Sequence, residues 1–120
     1  MEAKELRIGN LVQCNIDEIG IVTVITNTTK YINGIDLKHL QPIPLTEEIL
    51  LKCGLKRTLY DSSYELNDFS IFLDKRIREN IYIKCEKRNW NVLNGLRIDY
   101  LHQLQNLYFA LTNEELTVNL

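Results

Sequence analysis

The chain has 120 residues, a formal net charge of −2 and 45% apolar residues, which excludes a disordered polyelectrolyte and predicts one compact domain or two small subdomains. No apolar run approaches the roughly 20 residues that cross a bilayer, and the charged start Met1–Glu5 lacks the apolar core of a signal peptide. Three scattered cysteines, Cys14, Cys53 and Cys85, have no CxxC spacing and predict buried thiols rather than a zinc or redox motif. We therefore expect a cytoplasmic protein.

The first part of the chain predicts short strands joined by tight turns. Residues 6–12 alternate in part, and residues 20–26 are rich in β-branched side chains. Asn33-Gly34 favours a two-residue hairpin, and Pro42 and Pro44 end the sheet because proline cannot donate to a ladder. The order resembles a small SH3-like β-barrel, so we expect such a barrel or a curled sheet over residues 1–45.

A short helix is expected next, over residues 47–53. Thr46 can cap its N-terminus, and Glu47 and Glu48 in the first turn complement the helix dipole. Gly54 can adopt the left-handed conformation that closes the last turn.

Residues 46–120, which include that helix, predict an antiparallel sheet packed by a C-terminal helix. Strands are expected at 63–66, 69–73 and 81–86, followed by a second Asn-Gly hairpin at 94–95. Asp99 is the expected N-cap of a helix reaching residue 111. Its predicted buried stripe is Leu101, Leu104, Leu107, Tyr108 and Leu111, with Gln103, Gln105 and Asn106 facing elsewhere. The fold class is thus α+β, with both parts forming one compact unit.

The residues that could carry catalysis are few. His39 and His102 are the only histidines, and neither a metal-ligand spacing nor a nucleophile motif is present. A pair between Cys14 and His39 is a minor alternative, since distant residues can meet in a fold. We predict a protein that is not an enzyme and holds no metal or cofactor.

The stretch from Asp74 to Trp90 is the strongest candidate for a binding surface. Residues 52–88 carry nine basic and six acidic side chains, between two acidic flanks. Basic groups can hold phosphates and aromatic rings can stack on bases, while a solvated hairpin face has the same composition. Both interpretations stay open. The candidate contact residues are Arg76, Arg78, Tyr82, Lys84, Lys87, Arg88 and Trp90.

Three blocks carry a resemblance: residues 6–10 (LRIGN), residues 42–54 (beginning PIPLTEE) and residues 101–112 (LHQLQNLYFALT). They are similar to a group of small uncharacterised proteins of phages and prophage-like elements. The resemblance implies a bacterial host cell and no known catalytic residue. By analogy with small phage proteins that act by binding, the first hypothesis is a non-enzymatic inhibitor of a host defence nuclease, such as a CRISPR effector or its ribonucleoprotein complex. The second is a module that binds RNA or DNA through the basic segment.

Overall fold

The computed structural model of the protein describes residues 3–15, 18–22, 31–32, 35–59, 62–66, 69–74, 76, 80–84, 90–92 and 97–119. The strands are β1 (Leu11–Asn15), β2 (Glu18–Ile21), β3 (Tyr31–Ile32), β4 (Ile35–Asp36), β5 (Lys56–Arg57), β6 (Ser63–Leu66), β7 (Phe69–Phe72), β8 (Ile81–Lys84) and β9 (Trp90–Val92). The helices are α1 (Glu47–Lys52) and α2 (Leu101–Thr112), with 3-10 turns at Ala3–Glu5 and Leu37–His39. Mixed strands and helices confirm the α+β class.

The chain divides into two compact units. The first contains Met1–Pro44 and Asp99–Leu116, and the second contains Leu45–Ile98 and Thr117–Leu120. The first boundary falls one residue before the end of the predicted N-terminal part. The C-terminal helix differs from the predicted grouping, because α2 contacts β1 and belongs to the first unit rather than to the unit of the larger sheet.

In the first unit, short antiparallel pairs take the place of the expected barrel. β1 pairs with β2, and β3 pairs with β4 through Ile32 and Ile35. The predicted turn residues 33–34 lie outside the described residues. Gln13 and Gln41 exchange two backbone hydrogen bonds of 2.9 and 3.0 Å, so the proline-flanked segment touches β1 at one point. Across the described residues the strands of this unit form two two-stranded sheets and close no barrel. The core beneath them contains Leu6, Val12, Cys14, Val22, Leu37 and Leu40.

The segment 6–10 forms a turn, so the strand predicted over residues 6–12 is wrong for its first half. The side-chain oxygen of Asn10 accepts from the backbone N–H of Arg7 at 2.7 Å, and the Asn10 N–H donates to the Arg7 carbonyl at 3.0 Å. Gly9 has φ +96°, a conformation that favours glycine. The asparagine side chain thus gives the backbone an alternative to a strand ladder. The regular strand starts at Leu11, although Gly9 and Asn10 still exchange backbone hydrogen bonds of 2.7 and 2.9 Å with Val22.

Helix α2 is attached to this turn by two side-chain amides. Gln105 accepts from the Leu11 N–H at 2.9 Å and donates to the Gly9 carbonyl at 3.2 Å. Asn106 accepts from the Asn10 side chain at 2.7 Å and donates to the Glu5 carbonyl at 3.3 Å. The prediction that Gln105 faces away from the core is therefore wrong: the residue is 3% exposed.

The buried stripe of α2 is displaced from the predicted one. Leu101, His102, Leu104 and Gln105 are buried, whereas Leu111 is 50% exposed. The helix begins after Tyr100 and not after Asp99, because the side-chain oxygen of Gln103 accepts from the backbone N–H groups of both residues. Because α2 buries an amide side chain as well as leucines, its buried face differs from the one that its apolar residues alone indicate.

In the second unit, α1 follows the sequence prediction closely. Thr46 accepts from the Ile49 N–H at 3.2 Å, and Gly54 has φ +88° immediately beyond the last turn. Leu50 and Cys53 are buried on the inner face of the helix. The final residues add no strand over 115–119, and instead the Asn119 N–H donates to the Lys52 carbonyl at 2.9 Å.

A five-stranded antiparallel sheet in the order β5-β6-β7-β8-β9 fills the rest of this unit. The strands expected at 63–66, 69–73 and 81–86 are present as β6, β7 and β8, while β5, with two exposed basic residues, gave no sequence signal. One face of the sheet carries Tyr64, Ile71 and Ile81, which are nearly fully buried. Most of the second Asn-Gly hairpin, residues 93–96, lies outside the described residues, and Arg97 and Ile98 belong to no strand.

Asn80 joins the sheet to the segment that ends this unit. Its side chain donates to the Phe72 carbonyl at 3.2 Å and to the Ile98 carbonyl at 2.7 Å, and it accepts from the Ile98 N–H at 2.8 Å. The residue is 1% exposed. Its amide therefore satisfies buried backbone groups that have no strand partner.

Replacing Asn80 by alanine should destabilise the protein by about 2–4 kcal/mol, because several buried donors and acceptors lose their partners at once. Urea unfolding followed by circular dichroism measures the loss. Asn119→Ala, at an exposed position, is the matched control and should stay near the wild-type midpoint. Equal midpoints for the two variants would contradict the role assigned to Asn80.

Candidate partner-binding site

Four of the seven predicted contact residues lie in the described part of the second unit. Tyr82 and Lys84 belong to β8, Trp90 opens β9, and Arg76 lies in the connection between β7 and β8. The other three, Arg78, Lys87 and Arg88, lie outside the described residues. The sheet thus brings Tyr82, Lys84 and Trp90 onto neighbouring strands, a pairing that the alternating pattern around residue 82 does not predict.

The register of the strands places these positions on one face. Lys84 pairs with Trp90 and Tyr82 pairs with Val92 across β8 and β9, while Ser70 pairs with Tyr82 across β7 and β8. Paired positions of an antiparallel sheet share a face, and so do alternate positions along a strand. Positions 70, 72, 82, 84, 90 and 92 therefore lie opposite the face that carries Ile71 and Ile81. We call this the second face of the sheet.

An aromatic pair occupies the middle of the second face. The rings of Phe72 and Tyr82 lie 5.2 Å apart between centroids at an interplanar angle of 67°, an edge-to-face arrangement. Both residues are partly exposed. Position 90 is the diagonal neighbour of Tyr82 on the next strand, so aromatic positions advance diagonally across β7, β8 and β9. Sequence reasoning missed Phe72, although the alternation that assigns Ile71 to the core assigns Phe72 to the other side.

Small and charged residues surround the aromatic pair. Ser63 and Ser70 lie on neighbouring strands with their hydroxyl oxygens 3.4 Å apart, and both residues are buried. Lys56 on β5 pairs in register with Glu65 on β6, and both residues are exposed. The second face therefore combines aromatic rings, hydroxyl groups and charges of both signs.

Arg76 is less available for binding than its sequence position suggests. Its guanidinium donates to both carboxylate oxygens of Asp74, at 3.0 and 2.9 Å, and its backbone N–H donates to one of them at 2.9 Å. These hydrogen bonds lower the pKa of Asp74 to about 2. The charge of Arg76 is thus compensated locally, even though its side chain is 91% exposed.

A polar cleft of about 230 Å³ lies between α1 and the start of β6. Thr58, Ser62 and Ser63 line it together with an ion pair between Arg57 and Glu47, and Leu59 stands fully exposed at its edge. Because the ion pair neutralises both charged groups, the cleft presents hydroxyl groups to a ligand rather than a charged anchor.

The cysteines and histidines are arranged as structural groups. Cys14 and Cys53 are buried free thiols, as predicted, and Cys85 lies outside the described residues. Burial raises the pKa of Cys53 to about 11, which keeps this thiol protonated at neutral pH and makes it a poor nucleophile. His39 is exposed whereas Cys14 is buried.

His102 lies in the first turn of α2 and is 3% exposed. Its ring stacks on Tyr100 with 6.1 Å between centroids, and its buried Nδ1 atom has no hydrogen-bond partner among the residues that the structure describes. Burial lowers the pKa of His102, partly opposed by the charge of Glu5. The imidazole is therefore neutral at physiological pH and serves the packing of the first unit.

This arrangement predicts a loss of stability in acid. With its folded pKa below the ordinary value of about 6.5, His102 gains a proton more readily in the unfolded chain. Stability should fall as the pH drops from about 6.5 towards the folded pKa, by at most about 1.4 kcal/mol per pH unit from this residue. His102→Phe should reduce that slope in urea unfolding between about pH 7.5 and 5.5, whereas His39→Gln should keep it. An unchanged slope in His102→Phe would contradict the assignment.

Comparisons with known proteins identify no similar protein. No family model matches the chain, and neither curated proteins nor solved structures provide a match. Within the described residues, no helix is long and apolar enough to cross a membrane. Across the same part of the chain, no group of three or more histidine, cysteine, aspartate or glutamate side chains is arranged to hold a metal ion.

Proposed function

We propose that this chain is a non-enzymatic binding protein whose contact surface is the second face of the five-stranded sheet. The observation that carries the proposal is the register that aligns Phe72 and Tyr82 with positions 84 and 90 on one face. Tyrosine is among the residue types that contribute most energy at interfaces, and Tyr82 is partly exposed. The protonated thiol of Cys53 and the packing role of His102 support binding rather than bond-making.

The resemblance to phage proteins supports a sharper form of this proposal. In that form the partner is a defence nuclease of a bacterial host, such as a CRISPR effector or its guide complex, and the protein acts in the host cytoplasm. The support is analogy alone, because binding by small phage proteins is a property of many unrelated folds. The surface proposal does not depend on it.

A photo-crosslinking experiment tests the surface. Benzoylphenylalanine replaces Tyr82 in one tagged variant and Leu111 in a second, since Leu111 is a half-exposed residue of α2 in the other unit. In bacterial cells, illumination should attach a macromolecule several-fold more efficiently at position 82 than at position 111. Mass spectrometry of the purified adducts then identifies whether it is a protein or a nucleic acid.

Charge reversal provides the matched comparison in the same cells. Lys84→Glu should reduce the adduct formed at position 82, because position 84 is the next position along β8 on the same face. Lys38→Glu changes an exposed lysine of the first unit and should leave the adduct unchanged. Equal adduct yields at positions 82 and 111, or equal effects of the two lysine variants, would exclude the second face as the contact surface.

A further inference from the structure

We infer that the first turn of helix α2, residues 101–104, is an acid-sensitive switch: protonation of His102 releases this turn from the first unit while the following turn of the helix stays attached. A general loss of stability in acid would open all parts of the fold together, whereas this switch opens one turn. It lies in the first unit and the proposed contact surface lies in the second, so neither proposal requires the other.

The surroundings of His102 do not accommodate a charged imidazole. The residue is 3% exposed, and its buried Nδ1 atom has no hydrogen-bond partner within the described part of the chain. A neutral imidazole has one N–H group, whereas the protonated ring has one at each nitrogen. Protonation in place would therefore bury a charge and leave the N–H group at Nδ1 without an acceptor, and both are unfavourable. The ring accepts the proton more readily once it has reached water.

The charged and titratable groups near the ring do not compensate for its burial. Glu5, in the 3-10 turn before β1, is exposed, and its charge only partly opposes the lowering of the His102 pKa by burial. Strand β1, which α2 contacts, contributes the buried thiol of Cys14. Asp99 precedes the helix and is exposed, and the Tyr100 ring stacks on the imidazole. Burial is therefore the dominant influence on the proton affinity of His102.

The first turn is held to the unit mainly by burial of its side chains. Leu101 is fully buried and Leu104 is 4% exposed. The backbone N–H of Leu101 donates to the Ile43 carbonyl at 2.8 Å, and the residue before the helix forms an isolated bridge with Pro44. Because His102 lies between the two leucines, moving its ring into water disturbs the packing that holds the turn.

The following turn has a separate polar attachment that does not change charge in the same pH range. The side-chain amides of Gln105 and Asn106 bond to residues 5–11, and an amide does not titrate. Arg7 donates to Asn106 and to the Glu115 carboxylate, and these bonds to Arg7 lower the pKa of Glu115. The carboxylate therefore stays ionised at the pH at which His102 gains its proton, and the opening stops at the first turn.

Amide hydrogen exchange of the full chain, followed by NMR, tests the switch. The N–H groups of Leu101 and Leu104 donate to backbone carbonyls and report on the first turn. Those of Leu11 and Ile98 donate to side-chain amides and report on the following turn and on the second unit. Rates at each pH are divided by the chemical exchange rate at that pH, which gives the equilibrium constant for opening.

The opening constant at Leu101 and Leu104 should rise by up to about tenfold between about pH 7.5 and 5.5, because the released ring has the ordinary histidine pKa of about 6.5. The buried ring has a lower pKa, so the rise begins near pH 6.5 and levels off at the pKa of the folded state. At Leu11 and Ile98 the constant should change by less than about twofold, since these amides open in other steps. No rise at Leu101 and Leu104, or an equal rise at all four amides, would overturn the inference.

Two histidine variants provide the matched comparison. His102→Phe keeps a ring in the core and cannot gain a proton, so the pH dependence at Leu101 and Leu104 should disappear. His39→Gln changes the exposed histidine and should leave that dependence as in the wild type. Retention of the dependence in a folded His102→Phe variant would also exclude the switch. The comparison of the four amides in the wild type needs no variant, so it decides the question even if His102→Phe fails to fold.

Discussion

Side-chain amides, most of them buried, hold each unit of this protein together, because they bond to backbone groups of turns, strand ends and irregular segments. In the first unit, the amides of Gln105 and Asn106 bond to backbone atoms of Glu5, Gly9 and Leu11. In the second, the amide of Asn80 bonds to the backbone of Phe72 and Ile98. A buried amide has up to four hydrogen-bonding positions, so each of these residues can replace a missing stretch of regular ladder.

This arrangement compensates for the short strands. β3, β4 and β5 contain two residues each, and such strands supply few backbone hydrogen bonds of their own. Irregular segments between them would leave donors and acceptors buried without partners, which costs about 1–3 kcal/mol for each group. Arg7 extends the same network outward: it donates to Asn106 and Glu115 and lies 4.3 Å from the centre of the Phe109 ring. The polar contacts of the N-terminal turn therefore run from the core to the surface of α2.

The sequence could predict the elements whose signals are local and missed those that depend on distant partners. The cap at Thr46 and the closing Gly54 define α1 within nine residues, and alternation assigns Ile71 and Ile81 to the inner face of the sheet. Gln105 looks like a surface residue until the N-terminal turn is present, because its partners lie 94 and 96 residues away. These long-range bonds attach α2 to the turn at residues 6–10, which the local hydrogen bonds between Arg7 and Asn10 close.

The same distinction between local signals and distant partners applies to the proposed binding surface. Alternation along β8 could place Tyr82 and Lys84 on one face, whereas the place of position 90 on that face, the compensation of Arg76 by Asp74 and the proximity of Phe72 to Tyr82 required the structure.

The three sequence blocks at residues 6–10, 42–54 and 101–112 are largely explained by architecture. The LRIGN block forms the turn that α2 binds, and the LHQLQN part of the last block provides the helix residues that bind it. The PIP residues contact the start of α2, since the backbone N–H of Leu101 donates to the Ile43 carbonyl at 2.8 Å. The fold requires these residues for its internal contacts, whatever the protein binds. The second face of the sheet lies in a stretch of chain outside these blocks, where Phe72 and Tyr82 are partly exposed although Ser63 and Ser70 on the same face are buried.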